Sequence, residues 1–91
     1  MLFMIIETFR PGKVKELYKR FEEKGRQLPD GVYYLNSWID EKVSTCYQVM
    51  ESETEEKLRI WIDLWKDLAD FKIIPVITSA EAALKVSLDN G

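Results

Sequence analysis

A chain of 91 residues, 46% of them hydrophobic, can bury one core and not two, so any large further burial has to come from another chain. A formal charge of -3, with acidic and basic residues interleaved in every helical stretch, gives neither the basic face of a nucleic-acid binder nor a basic membrane-surface helix. Histidine is absent, which excludes a Ser-His-Asp or Cys-His arrangement within the chain, removes the usual haem ligand, and leaves zinc only one thiol and carboxylates.

In chain order, Leu2 to Phe9 is a short apolar run ended by Arg10-Pro11-Gly12, the pattern of a buried central strand. Met1 to Phe9 has no leading positive charges, no small-residue cleavage site and too few residues to cross a bilayer, so it is read as strand and not as a signal. Val14, Leu17, Tyr18 and Phe21 then recur at helical spacing, with Pro11 suited to the first turn and Gly25 to the C-terminal end.

Leu28-Pro29-Asp30-Gly31 is a turn signal, followed by two β-branched and aromatic runs, Val32 to Ile39 and Val43 to Glu51, with Asp40 to Ser44 as their hairpin connection. No Asn-Gly or Asp-Gly pair pins that turn, so the hairpin register stays open. Ser52 with Glu55 reads as a capping box, and Leu58, Trp61, Ile62, Trp65 and Leu68 form the stripe of the helix it opens. Phe71 to Ile77 is a strand whose Pro75 assigns it to a sheet edge or bulge. Thr78 with Glu81 opens a short helix to about Leu88, and Asp89-Asn90-Gly91 is expected to fray.

The order β-α-β-β-α-β places both helices on one face of a four-stranded antiparallel sheet: an α+β, ferredoxin-like fold with a short C-terminal helix, in one domain spanning 1–91. Strand residues of both parities are apolar. Phe3, Ile5 and Phe9 lie on one side of the first strand and Leu2, Met4 and Ile6 on the other. The face without helices therefore needs cover, which predicts a homodimer through the sheet. Cys46 is the single cysteine, so no internal disulfide can form and a cytoplasmic location is expected.

The opening Met1-Leu2-Phe3-Met4-Ile5-Ile6-Glu7, the Phe9-Arg10-Pro11-Gly12-Lys13 turn, Asn36-Ser37-Trp38, Gln48-Val49-Met50-Glu51, and Pro75 to Ala83 together resemble an uncharacterised domain-of-unknown-function family. That family's chains are of this length, and it is assigned to the dimeric α/β-barrel superfamily. The likeness covers nearly the whole chain and implies the ferredoxin-like fold and a dimer. The wider superfamily includes cofactor-independent monooxygenases, muconolactone isomerase-like enzymes, haem-degrading enzymes and plain binding or stress proteins. The missing histidine departs from its haem-binding branches.

Residues suited to chemistry are few. Asn36, Ser37 and Trp38 put an amide, a hydroxyl and an indole into an apolar strand, where they can hold a ligand, form a structural network or make a polar dimer seam. Gln48, Met50 and Cys46 share one parity and offer a soft wall beside one amide. Cys46 has no histidine to activate it. Glu7 and Glu51 stand near strand ends, either as desolvated bases or as carboxylates reaching solvent or an arginine such as Arg10. Of Tyr33 and Tyr34, one is expected in the core and the other at the surface or in a seam. Trp61 and Trp65, four residues apart, can stack a flat ligand or simply pack. Asp63, Asp67 and Asp70 read as a solvated face, with a hard-cation site as the alternative.

These residues support three readings. The first is a small-molecule binding or sensing homodimer with its pocket in the Asn36, Trp38 and Gln48 region. The second is a cofactor-independent oxygenase or isomerase of small cyclic substrates, with Glu7 or Glu51 abstracting a proton. The third is a purely structural homo-oligomer. No cofactor, metal, nucleic acid or membrane enters any of them.

Overall fold

A computed structural model describes the backbone of residues 1–90 and the side chains of residues 1–88. The N-terminal apolar run becomes β1 (Leu2–Phe9), a central strand hydrogen-bonded along both edges. Its neighbours are β3 (Thr45–Ser52) and β4 (Ala69–Val76), while β2 (Val32–Ile39) pairs with the far side of β3. The sheet order is β2-β3-β1-β4 with every neighbouring pair antiparallel, the ferredoxin-like arrangement. Pro75 sits on the edge strand β4 opposite Phe3, where its missing N–H costs the ladder little.

The helix α1 (Val14–Lys24) begins after the Pro11-Gly12 turn, with Lys13 at its N-cap, and ends at Gly25, whose φ of 67° favours glycine. The helix α2 (Glu55–Asp63) is capped by Thr54, whose hydroxyl accepts from the Lys57 amide at 3.3 Å. Ser52, expected as that cap, is instead the last residue of β3. It pairs with Val32, its amide donates to the Met1 carbonyl, and its hydroxyl donates to the Thr54 carbonyl at 2.8 Å. The helix also stops at Asp63, so Trp65 and Leu68 reach the core from the turns that follow it.

The second expected capping box forms. The Thr78 hydroxyl accepts from the Glu81 amide at 3.0 Å, and the Thr78 amide reaches the Glu81 carboxylate at 3.4 Å. The helix α3 (Ser79–Asn90) runs through Asp89 and Asn90, which were expected to fray, while Gly91 lies outside the described residues. Leu84 and Leu88 on this helix are exposed.

Phe3, Ile5, Met50, Leu58, Trp61 and Leu68 are almost completely buried between the sheet and α2. Each such apolar side chain contributes about 1.5–3 kcal/mol of transfer free energy, enough for this layer to fix the sheet against the helices. Arg20 ties α1 to the turns after α2 through two hydrogen bonds to Asp67, at 2.9 and 2.7 Å, and one to the Leu64 carbonyl at 3.0 Å.

The β2–β3 hairpin is closed by one carboxylate. Asp40 accepts from the Ser44 amide (2.7 Å), the Thr45 amide (2.7 Å) and the Ser44 hydroxyl (2.6 Å), which holds its carboxyl below the usual range. The turn also forces Val43 to a φ of 56°.

Leu35 is the extra residue of a β-bulge: Tyr34 opposes Met50 and Asn36 opposes Val49, with Leu35 unpaired between them. Alternation restarts one residue late. Ser37 and Ile39 therefore join Val32 and Tyr34 on the helix-covered face, and Asn36 and Trp38 join Tyr33 on the open face.

Candidate functional site

The apolar stripe of α1 does not seat fully on the sheet. Leu17 is buried, but Tyr18 and Phe21 remain 40% and 39% exposed. Beneath the helix the sheet presents Ser37, Cys46, Gln48 and Glu7, side chains too short or too polar to fill the space that two aromatic rings span. The result is a cavity of about 180 Å³ at the end of the sheet where β1 leads into the Arg10-Pro11 turn. Trp61 and Trp65 form another part of its wall. An apolar cavity of about 150 Å³ holds a benzene molecule, so the volume suits a single ring with a small substituent.

Glu7 enters this cavity from the central strand. Its residue is only 8% exposed, and Gln48 Nε2 donates to its Oε1 at 3.1 Å. The other oxygen, Oε2, has no hydrogen-bond partner among the described residues, and none of their buried side-chain polar atoms is left unpartnered, so Oε2 opens on the cavity. Burial pushes the carboxyl up to about 7, against the opposing pull of the Gln48 hydrogen bond and the Arg26 charge. Arg10, the cation expected to be within its reach, pairs instead with Asp70 at 3.1 Å.

Arg26 is positioned by its own backbone. Gly25 turns the chain at the end of α1, and the Arg26 carbonyl accepts from both indole N–H groups, Trp61 Nε1 at 2.8 Å and Trp65 Nε1 at 3.1 Å. The guanidinium lies 3.5 Å from the Tyr34 ring centroid and 5.2 Å from that of Phe21, an aromatic bracket that favours a flat cation. Tyr34 in turn shares a hydrogen bond of 2.7 Å with the Ser37 hydroxyl.

Cys46 is pushed up to about 11, first by burial and then by the charge of Glu7. A thiolate nucleophile is therefore not available near neutral pH. The Tyr18 phenol is raised as well, by burial and by Cys46 and Glu7.

The cavity gathers Glu7, Ser37, Cys46, Gln48, Trp61 and Trp65 from the residues singled out in the sequence. The others lie elsewhere. Asn36 and Trp38, expected beside Gln48, are carried to the open face by the Leu35 bulge. Met50 shares the face of Gln48 and Cys46, as its parity requires, but is sealed in the core away from the cavity. Glu51 is exposed at the opposite end of the sheet, in an open groove with Met1, Pro75 and Lys85. Asp63, Asp67 and Asp70 each pair with a different cation, Lys66, Arg20 and Arg10.

Sequence reasoning missed Arg26, and it took Tyr18 and Phe21 only as core residues of α1. The one available signal was Gly25, which ends the helix immediately before Arg26 and so turns that residue back toward the sheet.

A family model described as a domain of unknown function, DUF3303, matches residues 1–87. The chain belongs to this family. No curated protein and no solved structure matches it. For this DUF3303 domain, then, the geometry of the cavity carries the functional argument. A partly open, aromatic-walled cavity holds one protonatable carboxyl and one bracketed guanidinium, which is equipment for orienting a small polar group and for moving a proton. Among the described residues, no helix is long and apolar enough to cross a membrane.

Proposed function

We propose that this DUF3303 domain binds a small, single-ring organic molecule in the cavity between α1, the end of β2 and the rest of the sheet, and that it does so as a cytoplasmic homodimer. The observation that carries the reading is Glu7, a buried carboxyl with one oxygen held by Gln48 and the other turned into an aromatic-walled space. A core under selection for packing alone would place an apolar side chain there, since an unneeded buried carboxyl destabilises the fold. Mass spectrometry of the purified protein under native conditions tests this. A bound organic molecule that is released on denaturation is expected. A protein that is always empty, and whose tryptophan emission does not respond to any of a panel of single-ring compounds, overturns it.

Dimerisation is the second part of the proposal, and it draws support from the open face of the sheet. Trp38 is 57% exposed there and Tyr33 61%, beside the half-buried Met4, Ile6 and Val49. An apolar surface of this kind on a chain too small for a second core is best covered by a second copy. The superfamily resemblance points the same way, and the lone reduced Cys46 suits the cytoplasm.

A second reading is favoured by the same carboxyl. With its titration near neutrality, Glu7 is matched to general acid–base work, taking a proton from a carbon beside a carbonyl of a cyclic substrate; a cofactor-independent isomerase returns that proton elsewhere on the ring, and a cofactor-independent oxygenase lets the resulting carbanion react with dioxygen as the oxidant. Solvent-deuterium incorporation into cyclic ketones and enols, lost in Glu7→Gln, separates this from simple binding.

A further inference from the structure

We propose that the ligand of this cavity is an organic anion, a single-ring carboxylate whose oxygens meet the Arg26 guanidinium on one side and the Glu7 carboxyl on the other. The inference rests on the small-molecule reading above and names the chemistry of its ligand.

The chain has four arginines, and three of them are neutralised by a carboxylate: Arg10 by Asp70, Arg20 by Asp67 and Arg59 by Glu55. Arg26 alone has no ion-pair partner among the described residues, and it is the one that lines the cavity. Its side chain is nevertheless not loose. The rings of Tyr34 and Phe21 hold the guanidinium, and its backbone carbonyl is anchored by two indoles. A planar fork of donors held in place without an acceptor matches a carboxylate, which it can engage through two parallel hydrogen bonds.

Glu7 is the other charged group on the cavity wall, and it does not pair with Arg26. Both residues line the same cavity, so it presents a donor cation and a carboxyl group to one occupant. A ligand carboxylate can meet both when Glu7 is protonated, since the Glu7 hydroxyl then donates to it. An ionised Glu7 would repel it. The remaining titratable groups that face Glu7, Cys46 from β3 and Tyr18 from α1, are both raised and stay neutral near pH 7. Gln48 is neutral throughout. Anion binding is therefore expected to take up a proton at Glu7 and to weaken as pH rises through its titration.

The test uses the full chain with benzoate and its neutral isostere benzamide as probes, followed by tryptophan fluorescence, because Trp61 and Trp65 line the cavity. At pH 6 benzoate is expected to bind at least about tenfold more tightly than benzamide, the size of one charge-assisted contact. Its affinity should fall between pH 6 and 8, and Glu7→Gln should remove that fall. Arg26→Gln should abolish the preference for the anion, and Arg26→Lys, which keeps the charge without the planar fork, should restore part of it. Thermal melts of the variants confirm that they fold. Equal affinity for the two probes, or a preference that survives Arg26→Gln, overturns the anion assignment and leaves the single-ring reading standing. If neither probe saturates, the anion assignment falls, and the wider single-ring panel decides the reading on which it rests.

Discussion

Gln48 and Glu7 are diagonal neighbours across the β1–β3 pair, and the amide Nε2 of Gln48 donates to Oε1 of Glu7 at 3.1 Å under α1. Gln48 is itself 2% exposed, so the two form a buried polar couple in an otherwise apolar layer. The amide stabilises the charged form of Glu7, yet burial outweighs it and the carboxyl titrates at about 7 instead of 4.5. Replacing Gln48 by Met, which conserves volume but removes the donor, is expected to move that titration further up. Carbon-detected NMR titration of the Glu7 side chain reads the shift, and a downward movement would contradict the account.

A raised carboxyl also makes stability depend on pH. Between 4.5 and about 7 the folded chain binds a proton at Glu7 that the unfolded chain has released, so stability falls as pH rises through this window and levels off above it. The difference corresponds to about 3 kcal/mol. Glu7→Gln should flatten this part of the profile and be more stable than the parent at pH 8, by up to that amount. Urea unfolding of both proteins at pH 4.5, 6 and 8 measures it.

Val43 offers a stabilising substitution. A β-branched residue at a φ of 56° pays roughly 1–2 kcal/mol of left-handed strain, and its side chain is too exposed to recover that by packing. Val43→Asn, or Val43→Gly with its extra loss of chain entropy, is expected to raise stability by about 0.5–1 kcal/mol. An unchanged or lower melting temperature for both variants would show that the Val43 side chain has a role in the turn beyond its backbone angle.

The element order and the hairpin connection were legible in the sequence, because apolar runs and helical stripes act locally, and Pro75 narrowed β4 to an edge or a bulge, of which the sheet takes the edge. The cap of α2 was not: Ser52 and Thr54 both had the chemistry for it, and long-range pairing with Val32 decided which remained in the sheet. The site was half legible for a related reason. Glu7 and Gln48 sit on strands of unbroken alternation, so their shared face followed from parity. Asn36 and Trp38 lie beyond the unpaired Leu35, which has no distinguishing composition, and one inserted residue reversed their faces. Arg26 lies in a connection, where periodicity says nothing.

Deleting Leu35 tests that explanation. The flanking residues already pair as a regular ladder would, from Val32 opposite Ser52 to Ile39 opposite Cys46, with only Leu35 left over. The deletion should therefore fold with Ser37 still under α1 and Trp38 still on the open face. Cross-strand nuclear Overhauser contacts between residues 37 and 48 are expected to persist. If they are replaced by contacts between residues 36 and 48, the bulge is not what sets the faces.

The open face makes the last prediction. Trp38 and Val49 both point away from the helices, on β2 and β3, and the pairing of Trp38 with Tyr47 and of Val49 with Met4 puts them within one apolar surface. In a monomer, Trp38→Glu with Val49→Glu would exchange apolar for charged side chains on a surface already open to water, with little effect on stability. In a dimer closed through this sheet, the same pair would bury uncompensated like charges at the interface, at a cost of several kcal/mol per assembly. Sedimentation of the parent at micromolar concentration is expected to give the dimer, and the double variant the monomer, with far-UV dichroism retained. A parent that sediments as a monomer removes the interface, but it leaves the cavity arguments untouched, because Glu7, Arg26 and Gln48 all lie on the other side of the sheet.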